Sequence, residues 1–273
     1  MSNRPFRLIT SQGRIGDRTP HAIAGARACS DMLAARLSTD ASIVGCESEH
    51  QVDDWSVCLP AAGETLNGLA RHVVTAIDAG SIPLLSVNTC SAALATLPAA
   101  ARSIPGLKVL WVDAHGDFNT PETTGSGYLG GMALAGACGL WQSGHGSQAV
   151  ASNIAIIGIR DIDSAERKLL EEAGMTLMPG PIDPQAVLSF IGEAPVWIHI
   201  DWDALEPNHV PAAAYRIADG LLPDQLRSLL EAIPAGQIAG IELAEFEAPQ
   251  DAAERNKALA IIGHIVEPLI ASR

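Results

Sequence analysis

Long hydrophobic runs are missing from this sequence. No stretch of about 18 consecutive apolar residues, the length that suggests a transmembrane helix, is present. Residues 1–9 include Arg4 and Arg7, but no long apolar segment follows them, so the pattern of a signal peptide is also missing. We therefore expect a cytoplasmic protein without a membrane partner.

Positive charge and paired cysteines are also scarce. The 273 residues include 17 Lys and Arg against 31 Asp and Glu, and the net charge of -14 argues against a nucleic-acid partner. The five cysteines form no Cys-x-x-Cys pair, which argues against a disulfide scaffold and favours a reducing compartment. Four are expected to be small buried apolar residues, namely Cys29, Cys46, Cys58 and Cys138.

Apolar residues make up 48% of the chain, and short apolar runs alternate with helix-like patterns along its whole length. The predicted strands are residues 6–10, 41–46, 82–87, 107–114, 154–159, 196–202 and 238–245. The predicted helices are residues 64–79, 91–102, 164–173, 223–232 and 252–270. Strands that are apolar on both faces and are separated by helices predict a three-layer α/β/α fold with a mainly parallel sheet.

Acidic clusters follow two of the predicted strands at the point where each strand ends. The first cluster is Asp113, His115 and Asp117, and the second is Asp201 and Asp203. Because alternate residues of an extended chain share a face, each cluster can point to one place. Ligands of open parallel sheets bind beyond the carboxyl ends of the strands. The two clusters therefore predict a single site rich in carboxylates.

Bare carboxylates that lie close together repel one another unless a cation joins them. Oxygen ligands with one imidazole suit a hard divalent ion, and we expect two Mn²⁺ ions here. Two metals about 3.5–4 Å apart can hold a bridging water as hydroxide, which is a hydrolytic nucleophile. The sequence contains neither a Gly-x-Ser-x-Gly elbow nor a P-loop that would indicate another chemistry.

These motifs resemble the signature of the ureohydrolases, the family of arginases and agmatinases. In that family Asp-Ala-His-x-Asp is followed downstream by Asp-x-Asp-x-x-Asp-Pro. Residues 113–117 match the first motif, and residues 201–207 read Asp-Trp-Asp-Ala-Leu-Glu-Pro. The resemblance extends from about residue 82 to residue 247. It implies one arginase-like domain over residues 1–273 and a hydrolase that cleaves C–N bonds of linear amidines.

The resemblance also implies a role for each ligand. Asp113 and Asp201 would bridge the two ions. Asp117 would complete one metal site, while His115 and Asp203 would complete the other.

The chain departs from the family pattern at two positions. Arginases carry Gly-Gly-Asp-His-Ser with a ligand histidine where this chain has Cys90, which would ligate as a thiolate. Arginases also carry a proton-shuttle histidine where this chain has Gly130. The thiolate adds negative charge beside the ions, and a missing general acid or base costs roughly 10²–10⁴-fold in rate. Both changes disfavour arginine, whose guanidinium stays protonated up to a pKa of about 12.5–13.8.

A less basic guanidino group tolerates both departures, and hydroxylation of one guanidino nitrogen lowers its basicity. We therefore expect Nω-hydroxy-L-arginine as the substrate, cleaved to L-ornithine and hydroxyurea by the metal-bridging hydroxide. The pattern is similar to a branch of the family that serves antibiotic biosynthesis.

The resemblance implies several contacts to a guanidino amino acid. Residues 119–127 resemble the arginase loop that binds the substrate carboxylate, with Asn119, Thr124 and Ser126 as hydrogen-bond donors. Residues 160–163 resemble the segment that meets the α-amino group, with Asp163 as the contact.

The candidate catalytic groups are Asp117, Glu245 and His199. Glu245 is expected to receive the guanidino group, and its neighbours Glu242 and Glu247 stay open as alternatives. His199 precedes Asp201 by two residues, so it is either a proton relay or a hydrogen-bonded group beside the ligands.

Three alternatives remain open for the function. The first is an arginase, agmatinase or other guanidino-acid hydrolase with an unusual ligand. The second is a catalytically inactive metal-binding relative, and the third is a zinc hydrolase, because a thiolate is softer than manganese prefers. Arginase trimers depend on a tail beyond the last helix, and this chain ends directly after a helical pattern, so we expect a monomer.

Overall fold

The strands of this protein form one parallel sheet. The computed structural model describes residues 4–209 and 213–271, and these contain eight strands. They are β1 (Phe6–Ser11), β2 (Ser42–Val44), β3 (Ile82–Ser86), β4 (Lys108–Val112), β5 (Ile154–Ile157), β6 (Thr176–Met178), β7 (Val196–Asp201) and β8 (Ile238–Ala244). Their order is β2-β1-β3-β8-β7-β4-β5-β6, and every neighbouring pair is parallel.

Helices cover both faces of the sheet. In the described ranges they are α1 (Ala22–Leu37), α2 (Trp55–Asp78), α3 (Ala93–Ser103), α4 (Ala133–Ala137), α5 (Ser164–Glu172), α6 (Pro184–Ile191), α7 (Pro223–Ala232) and α8 (Ala252–Ala271). Helices α2 to α5 pack into the core on one face, and α1, α6, α7 and α8 into the core on the other. The predicted three-layer α/β/α fold is therefore confirmed. No helix in the described ranges has both the length and the apolar character needed to cross a membrane.

Alternation along the central strands supplies both cores. In β4, Val109 and Trp111 enter the core beneath α2 and α3, whereas Leu110 and Val112 enter the core beneath α7 and α8. All four side chains are buried. Burial on both faces explains why the strands are continuously apolar. The strands β3, β8, β7 and β4 lie next to one another in the centre of this buried sheet.

The seven predicted strands and five predicted helices are present, with small shifts of their ends except at the start of α2. The prediction missed β6, a short, half-buried edge strand, and it missed α6. It also missed the five-residue helix α4, and it missed α1, in which Ala and Gly surround the helix axis and leave no distinct apolar stripe. Helix α2 begins at Trp55 rather than residue 64, because the Asp54 side chain accepts from the Ser56 N–H and caps it.

The prediction that four cysteines are buried is wrong for two of them. Cys46 is exposed and Cys138 is half-buried, whereas Cys29 and Cys58 are buried as expected. Cys46 follows β2 in a loop outside the sheet, where no helix covers it.

Gly25 of α1 lies against the segment that follows β8. A Cβ atom added at Gly25 would lie 1.4 Å from the carbonyl oxygen of Phe246. This close approach sets the position of the chain directly after the carboxyl end of β8, where Glu245 stands.

We expect Gly25→Ala to destabilise the protein by about 1–3 kcal/mol, because the methyl group must displace the backbone at Phe246. Gly63→Ala in α2 is the matched control. Its Cβ would meet nothing within 4 Å, so it should gain about 0.5–1 kcal/mol of helix stability. Urea unfolding of both variants measures the difference. Equal midpoints would contradict the close packing of α1 on this segment.

Candidate metal centre and substrate pocket

Side chains of the predicted site lie at or just beyond the carboxyl ends of four adjacent strands. Cys90 follows β3, Asp113 follows β4, Asp201 ends β7, and Glu245 follows β8. These strands are neighbours in the sheet, so parallel pairing brings the four chain ends to one edge. The prediction that the two acidic clusters meet in space is therefore confirmed by the geometry.

The first group of ligand atoms consists of Asp113, His115 and Asp203, which lie within 4.8 Å of one another. The Nδ1 atom of His115 is 2.9 Å from Oδ2 of Asp203 and 3.5 Å from Oδ1 of Asp113. Burial lowers the pKa of His115, but hydrogen bonds to the two carboxylates outweigh it and raise that pKa to about 12. The imidazole thus contacts both carboxylates through the same nitrogen atom.

The second group consists of Cys90, Asp201 and Glu245, whose ligand atoms also lie within 4.8 Å of one another. The Cys90 thiol donates to Oδ2 of Asp201 at 3.3 Å. Asp113 also forms a group with Cys90 and His199, whose ligand atoms all lie within 4.8 Å of one another, so it belongs to both sides of the cluster. This position fits the bridging role that the family resemblance implies for Asp113.

Asp117 is the candidate ligand with a buried carboxylate oxygen that lacks a hydrogen-bond partner among the described residues. This oxygen is Oδ2, and Asp117 as a whole is buried. Burial, together with the neighbouring carboxylate of Asp113, raises its pKa well above the usual range. Its φ of 49° lies in the left-handed region, which is costly for a residue with a side chain. An orphaned acceptor among crowded carboxylates fits a divalent cation.

Hydrogen bonds from neighbouring groups orient the ligands. The indole N–H of Trp111 donates to Oδ2 of Asp113 at 2.9 Å, and the His115 N–H donates to its Oδ1 at 2.7 Å. The Asp203 N–H donates to Oδ1 of Asp201 at 2.7 Å. The backbone two residues further along the chain thus donates a hydrogen bond to each candidate bridging ligand, Asp113 and Asp201. These hydrogen bonds fix the orientation of both carboxylates before any ion binds.

Behind Cys90 lies a buried chain of hydrogen bonds. His199 places Nε2 at 3.3 Å from the Cys90 sulfur and Nδ1 at 3.0 Å from Oε1 of Glu242, and Thr96 donates to Oε2 of Glu242 at 2.7 Å. The imidazole stacks on Trp111 with ring centroids 3.5 Å apart. Neither His199 nor Glu242 lines the cavity described below. This arrangement favours the hydrogen-bonded role of His199, while a proton relay stays a prediction.

Burial and the carboxylates of Asp201 and Asp117 raise the pKa of the Cys90 thiol well above its usual range. A thiol ligates as the thiolate, so a bound cation must displace this proton. The donor set of thiolate, carboxylates and imidazole therefore fits a pair of divalent ions held by Cys90, Asp113, His115, Asp117, Asp201 and Asp203.

A cavity of about 290 Å³ opens onto these ligands. Among the predicted substrate contacts, it is lined by Asn119, Ser126, Asp163 and Glu245. Six further residues line the cavity and were not among the predicted contacts, namely Arg18, Tyr128, Gly131, Asp161, Glu166 and Tyr215. Arg18 lies far from the motifs along the chain, and no local pattern marks it as part of the site.

The predicted carboxylate loop is ordered by its own side chains. Thr124 accepts from the Gly127 N–H at 3.0 Å and does not line the cavity. Ser126 lines the cavity and accepts from the Tyr128 N–H at 3.2 Å. Thr124 therefore shapes the loop in this structure, whereas Ser126 faces the space where a ligand would bind.

Asn119 and Asp163 lie side by side. The Asn119 amide donates to Oδ2 of Asp163 at 3.3 Å, and the buried Asn119 Oδ1 has no partner among the described residues. Asp163 caps α5 by accepting from the N–H groups of Ala165 and Glu166. The two side chains together offer a donor, an acceptor and a negative charge on one wall of the cavity.

The structure distinguishes the three candidate glutamates. Glu245 lines the cavity, whereas Glu242 is buried behind Cys90 and Glu247 accepts from Thr19. Burial raises the pKa of Glu245 to about 8, although hydrogen bonds from Tyr128 and the Cys90 backbone oppose the shift. Its φ of 61° turns the chain sharply at the end of β8.

Tyr128 occupies the space above Gly130, the position of the missing shuttle histidine. Its hydroxyl donates to Oε1 of Glu245 at 2.7 Å, and a Cβ atom at Gly130 would lie 2.4 Å from the tyrosine ring. Burial and the Glu245 charge raise the pKa of Tyr128 well above its usual value, so the phenol keeps its proton. A larger residue at position 130 and this placement of Tyr128 are therefore mutually exclusive.

Comparison with known proteins gives one consistent result. The model of the arginase family matches residues 5–270. The chain is 48% identical over 262 residues to N(omega)-hydroxy-L-arginine amidinohydrolase of Streptomyces lavendulae, covering 96% of each chain. It is 30% identical over 221 residues to arginase of Bacillus subtilis (strain 168), covering 75% of this chain and 74% of that one.

Solved structures agree with this assignment. The crystal structure of arginase from Bacillus subtilis superposes with a TM-score of 0.84 at 26% sequence identity, and the match covers 99% of both chains. The family model, the relatives and the metal-ligand geometry all indicate the same conclusion. This chain belongs to the arginase family and is an amidinohydrolase, a hydrolase of C–N bonds in linear amidines.

Proposed function

We propose that this enzyme hydrolyses the guanidino group of Nω-hydroxy-L-arginine to give L-ornithine and hydroxyurea. One water molecule is consumed, and the C–N bond to the ornithine nitrogen is cleaved. The observation that carries the proposal is the 48% identity, over 96% of each chain, to a relative named for this substrate. The position of Cys90 within the ligand cluster supports it.

We propose two Mn²⁺ ions as the cofactor, because four carboxylates and one imidazole accompany the single thiolate. When bound, such a pair lowers the pKa of a shared water and so supplies the nucleophile. Zinc is the alternative that the Cys90 sulfur favours. One sheet contains strands from both ends of the chain, β1 and β8, which supports a single catalytic domain.

Glu245 is proposed to receive the guanidino end of the substrate. Both donors to its carboxylate, the Tyr128 hydroxyl and the Cys90 N–H, use the same atom, Oε1. Its other oxygen is left to accept a substrate N–H, and hydrogen bonds to a carboxylate are stronger than those between neutral groups. Tyr128 is thus a positioning residue that acts through Glu245.

The other end of the substrate is proposed to lie along the outer wall of the cavity. Asp163 offers negative charge to the α-ammonium group, and Asn119 and Ser126 offer polar atoms beside it. These contacts select an amino acid over a simple hydrocarbon chain. A role in antibiotic biosynthesis follows from the similarity of the motifs to that branch of the family, and a cytoplasmic location stays a prediction of the sequence.

Removal of the Tyr128 hydroxyl tests how Glu245 is positioned. We expect Tyr128→Phe to lower kcat/KM for Nω-hydroxy-L-arginine by roughly 10–150-fold, since a hydrogen bond to a charged group contributes about 1.5–3 kcal/mol. Gly130→Ala should lower activity too, because its Cβ would lie 2.4 Å from the tyrosine ring. Gly63→Ala in α2, whose Cβ would meet nothing within 4 Å and which lies outside the predicted substrate loop, is the control. Wild-type kinetics in Tyr128→Phe and Gly130→Ala, as in the control, would show that Tyr128 does not position Glu245.

Substrate preference is tested with the purified manganese enzyme. We expect kcat/KM for Nω-hydroxy-L-arginine to exceed that for L-arginine by roughly 10²–10⁴-fold. This is the usual contribution of a general acid or base, which a glycine at position 130 cannot supply. Hydroxyurea and urea are measured separately, because both reactions release L-ornithine. Equal or better hydrolysis of L-arginine would identify an ordinary arginase instead.

A further inference from the structure

The cavity is strongly acidic, yet the proposed substrate brings a carboxylate into it. Seven of its lining residues are Asp117, Asp161, Asp163, Glu166, Asp201, Asp203 and Glu245. Among the described lining residues, Arg18 is the one Lys or Arg. A substrate carboxylate in this field is repelled unless a cation lies beside it.

Arg18 is held firmly at the cavity wall. Its Nη2 donates to the carbonyl oxygens of Asp53 and Ser126, each at 3.0 Å. Its guanidinium carbon lies 5.1 Å from the centroid of the Tyr128 ring, a cation–π contact. These contacts fix the direction of the guanidinium before a ligand arrives, which reduces the entropy lost on binding.

The guanidinium of Arg18 forms no close ion pair within the described residues, although it interacts at longer range with the exposed carboxylate of Asp54 and contacts Tyr215. No carboxylate of residues 4–209 or 213–271 lies within ion-pair distance of it, although the chain carries a net charge of -14. Its buried Nε has no hydrogen-bond partner in the same ranges. An anchored arginine without a close ion-pair partner, at the wall of an acidic cavity, is suited to a carboxylate ligand.

The position of Arg18 suits the far end of the substrate. It stacks on the ring of Tyr128, whose hydroxyl contacts Glu245, the proposed acceptor of the guanidino group. Arg18 and Glu245 therefore contact the ring and the hydroxyl of the same tyrosine, and both line the cavity. Arg18 also touches the backbone of Ser126, in the loop expected to bind the carboxylate.

We infer that Arg18 binds the α-carboxylate of the substrate and makes the site selective for an amino acid over the corresponding amine. The assignment rests on the proposed function for the identity of the substrate. It adds a charged partner to a subsite for which the sequence suggested only neutral donors.

The test compares the binding of L-ornithine and putrescine, which differ by the carboxylate, to manganese-loaded protein by calorimetry. Wild-type protein should bind L-ornithine more tightly. Arg18→Gln should weaken L-ornithine binding by roughly 10–150-fold, as expected for a charged hydrogen bond, and change putrescine binding by less than about twofold. Arg18→Lys keeps the charge and should recover part of the loss. Arg27→Gln removes the same charge from an exposed helix position and should alter neither affinity.

The kinetic counterpart is a rise in KM for Nω-hydroxy-L-arginine in Arg18→Gln with little change in kcat. Equal losses of L-ornithine and putrescine binding would show that Arg18 only anchors the Ser126 loop, and would overturn the inference. Unchanged L-ornithine affinity in Arg18→Gln, or wild-type protein that does not prefer L-ornithine, would overturn it as well. Failure of the proposed substrate is separate, because it would appear as wild-type enzyme that releases no hydroxyurea.

Discussion

Repulsion among buried carboxylates is the constraint on which this site depends. Asp113, Asp117, Asp201 and Asp203 are buried at the ends of two adjacent strands, with Glu245 beside them at the end of a third. Burial, together with neighbouring carboxylates, raises the pKa of Asp201 well above its usual range and that of Asp203 to about 6. Such a cluster is unfavourable alone, and divalent cations are the groups that make it stable and useful. The crowding of these buried carboxylates therefore accounts for both metal binding and catalysis.

The fold holds this crowded cluster in place by packing on both faces of the sheet. Trp111 shows the connection, since it is buried in the core, donates to Asp113 and stacks on His199. The two site residues with positive φ, Asp117 and Glu245, occupy costly backbone conformations that the surrounding core maintains. The Cys90 sulfur, a candidate ligand, contacts His199, and His199 in turn contacts Glu242.

The convergence of the two acidic clusters could be predicted from the sequence because each cluster is local. Residues spaced two apart at the end of an apolar strand point to the same side of the chain. Parallel strands place such ends together at one edge of the sheet. Contacts between distant segments could not be predicted in this way. The pairing of Tyr128 with Gly130 depends on where the ring lies, and Arg18 reaches the cavity from a loop with no motif. Helix α1 was missed because its small residues hide the buried face, although Gly25 positions the chain after Glu245.

The most direct test of the account is an anomalous-difference map from crystals of the manganese-loaded protein, recorded at the manganese absorption edge. The account predicts two peaks about 3.5–4 Å apart, enclosed by the carboxylates at the ends of β4 and β7. One peak should lie within bonding distance of the Cys90 sulfur, which is about 2.3 Å for a zinc–thiolate bond and slightly longer for manganese. A map without peaks at this edge of the sheet, at saturating manganese, would contradict the central claim.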